Sequence, residues 1–470
     1  MTPDAELQIF AVKRGQIKGK EIFCSALYPY YLIVIEKYQA SKYNRGLLKD
    51  FVDVNPPTCT RSLSDQDVVS FIPMSAVECL TNSVEYESVE YNKVKKGFTI
   101  FSKGDLLWAK ITPCMQNGKS CLTDQMPTEI GFGSTEFHVL RVKKDKIDSV
   151  YMPFLWVLFS NKNILKAAQA VFNGSAGQQR VSDSFFNYFP AVLPDYSVQK
   201  DMFDRLNNKL VNYKCKLCQA NELLAGMDEF VLETLGIKKQ DISSKIIFGV
   251  KYADVYKSRI DAIFNNPHFV TRIAALKELP HDSLENIIEF SDEVWNGKDF
   301  FEDVFPYIEI SNVGLKNNIC HSNATSMEKI PSRAKMVVRN GDIIVSTTRP
   351  HRGAIATLTF EKEQVKIAST GFSVLRNLKR SDILKEYLYW VLLNDYVLQQ
   401  MLQRSSGGNY PAINQDELKK IIIPIPSIDK QKKIIAEAEW RKKLSAHLKN
   451  EAEKEWQDAR EQFEKELLGE

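Results

Sequence analysis

The sequence predicts an α+β protein built as a tandem duplication. Two mixed α/β units each precede a long helix, and the two helices pair as an antiparallel coiled coil. Three observations predict this. A set of phrases recurs in the same order in both halves. Short apolar runs of strand composition, punctuated by Gly and Pro, fill each half. A heptad-like apolar stripe then closes each half.

The repeat comes first because it decides the architecture. "GDLLWAKITPCMQNGK" (Gly104–Lys119) and "GDIIVSTTRPHRGAI" (Gly341–Ile355) both read Gly-Asp, an apolar strand, then a Pro and a basic, Gly-containing loop. They lie 237 residues apart. "IGFGSTEFHVLRV" (Ile130–Val142) matches "VKIASTGFSVLRN" (Val365–Asn377), sharing Ser-Thr-x-Phe-x-Val-Leu-Arg at an offset of 235. Aromatic helical stretches follow at Tyr151–Ser160 and Glu386–Asp395, then Gly turns at Asn173–Val181 and Arg404–Ile413. "FPAVLPDYSVQKDM" (Phe189–Met202) finally matches "IPIPSIDKQKKI" (Ile423–Ile434) at an offset of 232. Five landmarks in one order, with so little drift, exclude chance. The expected organisation is a first unit over 1–196, a central helix and linker over 197–260, a second unit over 261–426, and a C-terminal helix over 427–470.

Within the units, "VVSFIPM", "FTIFS", "DLLWAKI" and "MVVR" have strand composition. After Pro194 the apolar positions Phe203, Leu206, Leu210, Tyr213, Leu217, Ala220, Leu224, Met227 and Val231 alternate spacings of three and four. They predict one helix from about 198 to 235, roughly 57 Å long at 1.5 Å per residue. A looser stripe through Ala438, Leu448, Ala452, Trp456, Ala459, Phe463 and Leu467 predicts a helix from about 428 to 468. Neither stripe is wide enough to stabilise a lone helix, so the economical solution is for the two to pack on each other, with the α/β units at opposite ends. "KKQDISSK" (Lys238–Lys245) reads as a linker.

Composition bounds the functional classes. The chain has 470 residues, 44% hydrophobic and 26% charged, with a net charge of +3. That is ordinary for a globular protein, and too mild either to require or to exclude a nucleic-acid partner. The eight Cys show no disulfide framework, and the opening MTPDAELQIF lacks the pattern of a signal peptide. No apolar run of about 18 residues is present. The expectation is a reduced, cytoplasmic protein.

Two α/β units, each ending in a Gly turn, a Pro-rich phrase, a Gln and a long helix, resemble the specificity subunit of type I restriction–modification systems, which serve in phage defence. The residues that carry the resemblance are Gly104-Asp105 with "AKITPCMQNGK", Gly341-Asp342 with "STTRPHRGAIA", "SRIDAIFNNPHF" (Ser258–Phe269) and "GNYPAINQDELKKIIIPIPSIDKQKKI" (Gly408–Ile434). The second half matches more sharply. In the first, "FPAVLP" (Phe189–Pro194) replaces Ile-Pro-x-Pro, and the opening 45 residues match poorly. The resemblance implies a non-catalytic subunit whose two target recognition domains each read one half of a bipartite, asymmetric double-stranded DNA site. It implies docking of two methyltransferase subunits and of restriction/translocase subunits. It further implies no cofactor on this chain, with S-adenosylmethionine, ATP and Mg on the partners. A rigid spacer suits two readers that must sit about one DNA turn, roughly 34 Å, apart. Lys110, Lys119 and Arg180 in the first unit are candidate DNA contacts, as are Arg349, His351, Arg352, Asn409 and Tyr410 in the second. The alternative for the charged loops is solvation, and for the Gly turns it is local turn chemistry. "RVKKDK" (Arg141–Lys146) is read first as a solvated face.

Other chemistries are weaker. "NPPT" (Asn55–Thr58) has Thr where amino-methylating DNA enzymes place an aromatic, and no Gly-rich strand–turn–helix precedes it. Cys215 and Cys218 lie in the heptad helix without a second Cys/His pair at zinc spacing. The sequence has no P-loop, no H-x-x-x-H and no nuclease constellation. The aromatics around Trp156 and Trp390 read as core. Two alternatives to the specificity subunit stand: a coiled-coil tether with protein-binding ends, and the recognition subunit of a related DNA-modification system.

Overall fold

The computed structural model describes residues 29–174, 179–238, 248–251, 259–361 and 364–469. The opening segment, the linker beyond Lys238, Ser258 and the middle of the first Gly turn lie outside the described residues. The chain forms two compact units, Met1–Cys215 with Glu451–Glu470, and Lys216–Asn450.

The strands of unit 1 are β1 (Asn44–Leu47), β2 (Val52–Val54), β3 (Val68–Ile72), β4 (Glu87–Glu90), β5 (Thr99–Ser102), β6 (Leu106–Ala109), β7 (Ser120–Leu122), β8 (Ile130–Gly133), β9 (Phe137–Val142), β10 (Phe172–Asn173), β11 (Arg180–Val181) and β12 (Pro190–Val192). Those of unit 2 are β13 (His281–Ser283), β14 (Ile288–Ser291), β15 (Val304–Ile308), β16 (Asn323–Ser326), β17 (Ala334–Arg339), β18 (Ile343–Ser346), β19 (Ile355–Thr357), β20 (Val365–Ser369), β21 (Phe372–Leu378) and β22 (Ile422–Pro424).

The duplication read from the sequence is a duplication of topology. Unit 1 has sheets ordered β2-β9-β6-β7 and β4-β3-β8-β5, and unit 2 has β14-β21-β18-β19 and β16-β15-β20-β17. Each second sheet contains one parallel pair, β3 with β8 and β15 with β20. The departure at "FPAVLP" is conservative in structure. β12 pairs antiparallel with β1 as β22 pairs with β13.

Strand β6 shows why its sequence is an unbroken apolar run. Side chains alternate across a strand. Leu106 and Trp108 pack into the core formed with helices Met152–Phe159 and Lys162–Ala170, whereas Leu107 and Ala109 pack against the second sheet. In unit 2, Ile343 and Val345 face the helices and Ile344 faces the other sheet. A strand covered on both faces has no polar position to offer. Trp156 and Trp390 belong to these cores.

The C-terminal helix spans Ile428–Leu468. The expected single helix from about 198 to 235 is instead two, Tyr196–Ala225 and Met227–Leu235, divided at Gly226. The cause is local. A Cβ at Gly226 would lie 2.8 Å from the Arg441 guanidinium, which donates to the Leu223 carbonyl. Glycine admits the arginine, and the arginine takes a carbonyl at the break. Within each unit the helices run antiparallel. In unit 1, Arg205 pairs with Glu466 at 2.7 Å and the Tyr213 ring stacks on Trp456. In unit 2, Ser445 donates to Ala220 O at 2.8 Å and the Lys433 ammonium lies over Phe230.

The Gln of the Pro-rich phrase fastens each long helix to its own unit. Buried Gln199 donates to Ser149 O and Pro194 O and accepts from the Tyr151 amide. Buried Gln431 donates to Asp382 O and Pro426 O and accepts from the Leu384 amide.

Candidate nucleic-acid interface

The Gly-Asp phrase and the Val-Leu-Arg phrase turn out to be two halves of one buried contact. Gly104 and Gly341 take φ of 88° and 82°, a turn that glycine adopts without strain. Asp105 accepts from the Ser102 amide at 2.7 Å and is gripped by Arg141 through Nε and Nη2, both at 2.7 Å. Asp342 accepts from the Arg339 amide at 2.8 Å and from Arg376. Arg376 also reaches Glu293 at 2.7 Å, which Arg339 grips at 2.6 Å. Hydrogen bonding from Arg339, joined by Arg376, holds the Glu293 carboxyl below the usual range. Both aspartates are about 1% exposed, so these pairs belong to the scaffold. The basic run beyond Arg141 is likewise held locally, with Lys143 near Asp53 and Lys146 near Asp145.

On this scaffold the basic loop and the Gly turn are zipped together in both units. In unit 1 the Thr112 amide donates to Gln179 O at 3.0 Å, and the Val181 amide to Lys110 O at 3.0 Å, around a bridge between Ile111 and Arg180. In unit 2 the Arg349 amide donates to Pro411 O at 2.7 Å, and the Ile413 amide to Thr347 O at 2.9 Å, around a bridge between Thr348 and Ala412. The second bridge lies 237 and 232 residues beyond the first, the offsets of the sequence repeat. Two segments far apart in sequence thus form one surface feature per unit.

The side chains on that feature differ between units. In unit 1, Arg180 forms a two-point ion pair with Glu136, at 2.9 and 2.7 Å, and this bonding lowers the Glu136 pKa. Lys110 lies within electrostatic reach of the same carboxylate. Lys119 donates to Met74 O at 2.9 Å. Beneath the loop, buried His138 places Nε2 at 2.8 Å from Val181 O and Nδ1 at 3.1 Å from the Asn55 amide. This fixes a neutral tautomer with the proton on Nε2. Burial lowers its pKa. Asn55, which opens "NPPT", sits at φ 52° and accepts from the Val139 amide, so that motif is a structural turn.

In unit 2 the candidates gather. The Arg349 guanidinium lies 4.1 Å from the centre of the Tyr410 ring and donates to Asn409 O at 3.0 Å. Asn409 and Tyr410 are exposed, as is Arg352. His351 has a buried Nδ1 without a hydrogen-bond partner, and burial together with Arg352 and Arg349 lowers its pKa. The sequence missed the Asp–Arg contact, although two opposite charges recurring at nearly the same offset were its signal. It also missed Glu136, which nothing in the pattern marks. Cys215 and Cys218 are exposed on the helix, and no group of three metal-ligating side chains occurs among the described residues.

Two units of one plan, alike in buried scaffold and unlike in the loops it carries, define a duplicated binding protein whose halves present different surfaces. Comparison with known proteins gives the family. The profile described as "Type I restriction modification DNA specificity domain" matches residues 41–216 and 285–451, once in each half. The chain belongs to this family. It is 38% identical over 142 residues to the EcoAI specificity subunit of Escherichia coli, a stretch covering 30% of this chain and 24% of that protein. It is 29% identical over 153 residues to the EcoEI specificity subunit of the same species, covering 32% and 25%. The chain thus spans about a quarter of the length of these curated relatives. Among solved structures it is similar to the HsdS subunit of Thermoanaerobacter tengcongensis, at 15% identity over 90% of this chain and 95% of that one, with a TM-score of 0.35. It is also similar to the S subunit of M. genitalium, at 13% identity over 90% and 94%, with a TM-score of 0.38. Among the described residues no helix is long and apolar enough to cross a membrane.

Proposed function

We propose that this chain is the sequence-reading, non-catalytic subunit of a type I restriction–modification complex, each unit reading one half of a bipartite double-stranded DNA site. The observation that supports it most is the separate match of each half to a DNA specificity domain. The unlike loops of the two units make the site asymmetric. The long helices dock two methyltransferase subunits, and the restriction/translocase subunits join that core. S-adenosylmethionine, ATP and Mg belong to those partners, and the complex works in the cytoplasm, where its DNA lies. The test is co-purification with the methyltransferase subunit encoded beside it, followed by mapping of methylated adenines in host DNA. A split, asymmetric motif that disappears when this chain is deleted supports the reading. Failure to assemble, with no retention on DNA at low salt, returns the chain to the tether class.

A further inference from the structure

The chain carries its own control for telling a reading residue from a scaffold residue. Whatever holds the fold should be present in both units, and whatever reads bases should differ. The Asp–Arg contact, the zipped loop and turn, and the buried Gln are present in both. Thr112 and Arg349 occupy equivalent places, each donating its amide to the Gly turn and each preceding a proline. Thr112 has a short hydroxyl, buried and without a partner. Arg349 has a guanidinium at the surface, on Tyr410. The other arginine of the zipped feature, Arg180, has Ala412 in its equivalent place and is engaged by Glu136.

Three features separate Arg349 from a simple loop staple. The turn is already closed by backbone bridges of Thr348 and of Ser406 with Ala412, so stacking is not needed to close it. Arg349 holds a left-handed backbone, φ 49° and ψ 50°, which is strained for a side chain of this size. Tyr410 remains 69% exposed beneath it, so the stacked pair stands in solvent rather than in a core. The ring below and the bond from Nη2 to Asn409 O fix the plane of the guanidinium. No other hydrogen bond among the described residues engages it. A fixed planar fork with a free edge matches O6 and N7 of guanine in the major groove.

We propose that Arg349, seated on Tyr410, is the specificity-determining side chain of unit 2 and reads a guanine in its half-site. This rests on the DNA-reading function proposed above. Arg352 is exposed beside it, its side chain makes no hydrogen bond or ion pair among the described residues, and it supplies a sequence-independent phosphate contact. The half-site of unit 1, with Thr112 in the equivalent place, is read without this arginine–guanine pair.

The experiment uses the assembled complex with its methyltransferase partner. The wild-type methylation motif is mapped, and binding is then measured on duplexes changed one base at a time. Arg349→Ala is expected to reduce discrimination at a single guanine by about 5- to 150-fold, leaving the other half-site untouched. Arg349→Gln is expected to move the preference at that position toward adenine. Tyr410→Ala should loosen the same position, and it decides the matter if the Arg349 variants do not assemble. Arg352→Ala should weaken all duplexes alike and lower the salt slope by about one. A wild-type site without guanine in either half overturns the assignment. So does an unchanged base preference in Arg349→Ala, or in Tyr410→Ala where that variant decides. A wild-type complex that binds without any sequence preference instead removes the DNA-reading function on which the assignment rests.

Discussion

Asp105 is about 1% exposed and Arg141 is its ion-pair partner. A buried carboxylate deprived of its cation keeps its desolvation cost. Arg141→Leu should therefore destabilise unit 1 by about 3 kcal/mol, measured by denaturant unfolding. The double variant Asp105→Asn with Arg141→Leu should recover part of that loss, because Asn still accepts from the Ser102 amide without a charge. His138 makes a second prediction at this scale. Burial lowers its folded pKa from the ordinary 6.5, so on acidification the unfolded chain takes up the proton first. Stability should fall as pH drops below about 6.5 toward the folded pKa. His138→Gln should flatten that part of the profile in unfolding curves taken across the window. The signal for His138 was absent from the sequence, because a lone histidine in an apolar strand announces neither its tautomer nor its partners.

At the scale of elements, the long helices are legible because their stripes repeat, and their attachment is legible only in retrospect. Gln431 satisfies two carbonyls and one amide where the C-terminal helix leaves unit 2. Gln431→Leu keeps the volume and removes all three bonds. It should cost about 1–3 kcal/mol, with amide exchange rising first at Leu384 and Gln431, where the helix is fastened. Gln199→Leu should do the same in unit 1 at Tyr151. The break at Gly226 was not legible. A lone glycine in a heptad stripe is tolerated in many helices, and only the arrival of Arg441 from the other long helix explains why this one ends a segment.

For the whole molecule, two units with separate cores imply separable effects on recognition. Substitutions confined to the loop and turn of one unit should alter one half of the recognised motif and leave the other intact. Effects on binding energy from the two units should add to within about 0.5 kcal/mol. Methylation maps of single-unit variants and of their combination check this. Binding should also fall steeply with salt, because phosphate contacts release counterions. Replacing Glu136 by Glu136→Gln should take this anionic partner from Arg180 and steepen that dependence, read from affinities at two or more salt concentrations.

The sequence by itself determined the duplication, the mixed α/β character of each unit and the extent of the C-terminal helix. These follow from periodicity and order, which survive without coordinates because side chains repeat every two residues in a strand and about every three and a half in a coiled coil. It also marked the loops, since Gly, Pro and clustered charge interrupt both periods. Only the tertiary structure decided what those loops do with their charges. Arg180 and Arg349 look equivalent as residues in a basic, glycine-rich context. One is closed on Glu136 and the other is held open on Tyr410, and those partners lie 44 and 61 residues away. A contact between distant residues is set by topology and register, which no local pattern encodes, and on this protein's surface that contact decides which cation remains available to a partner.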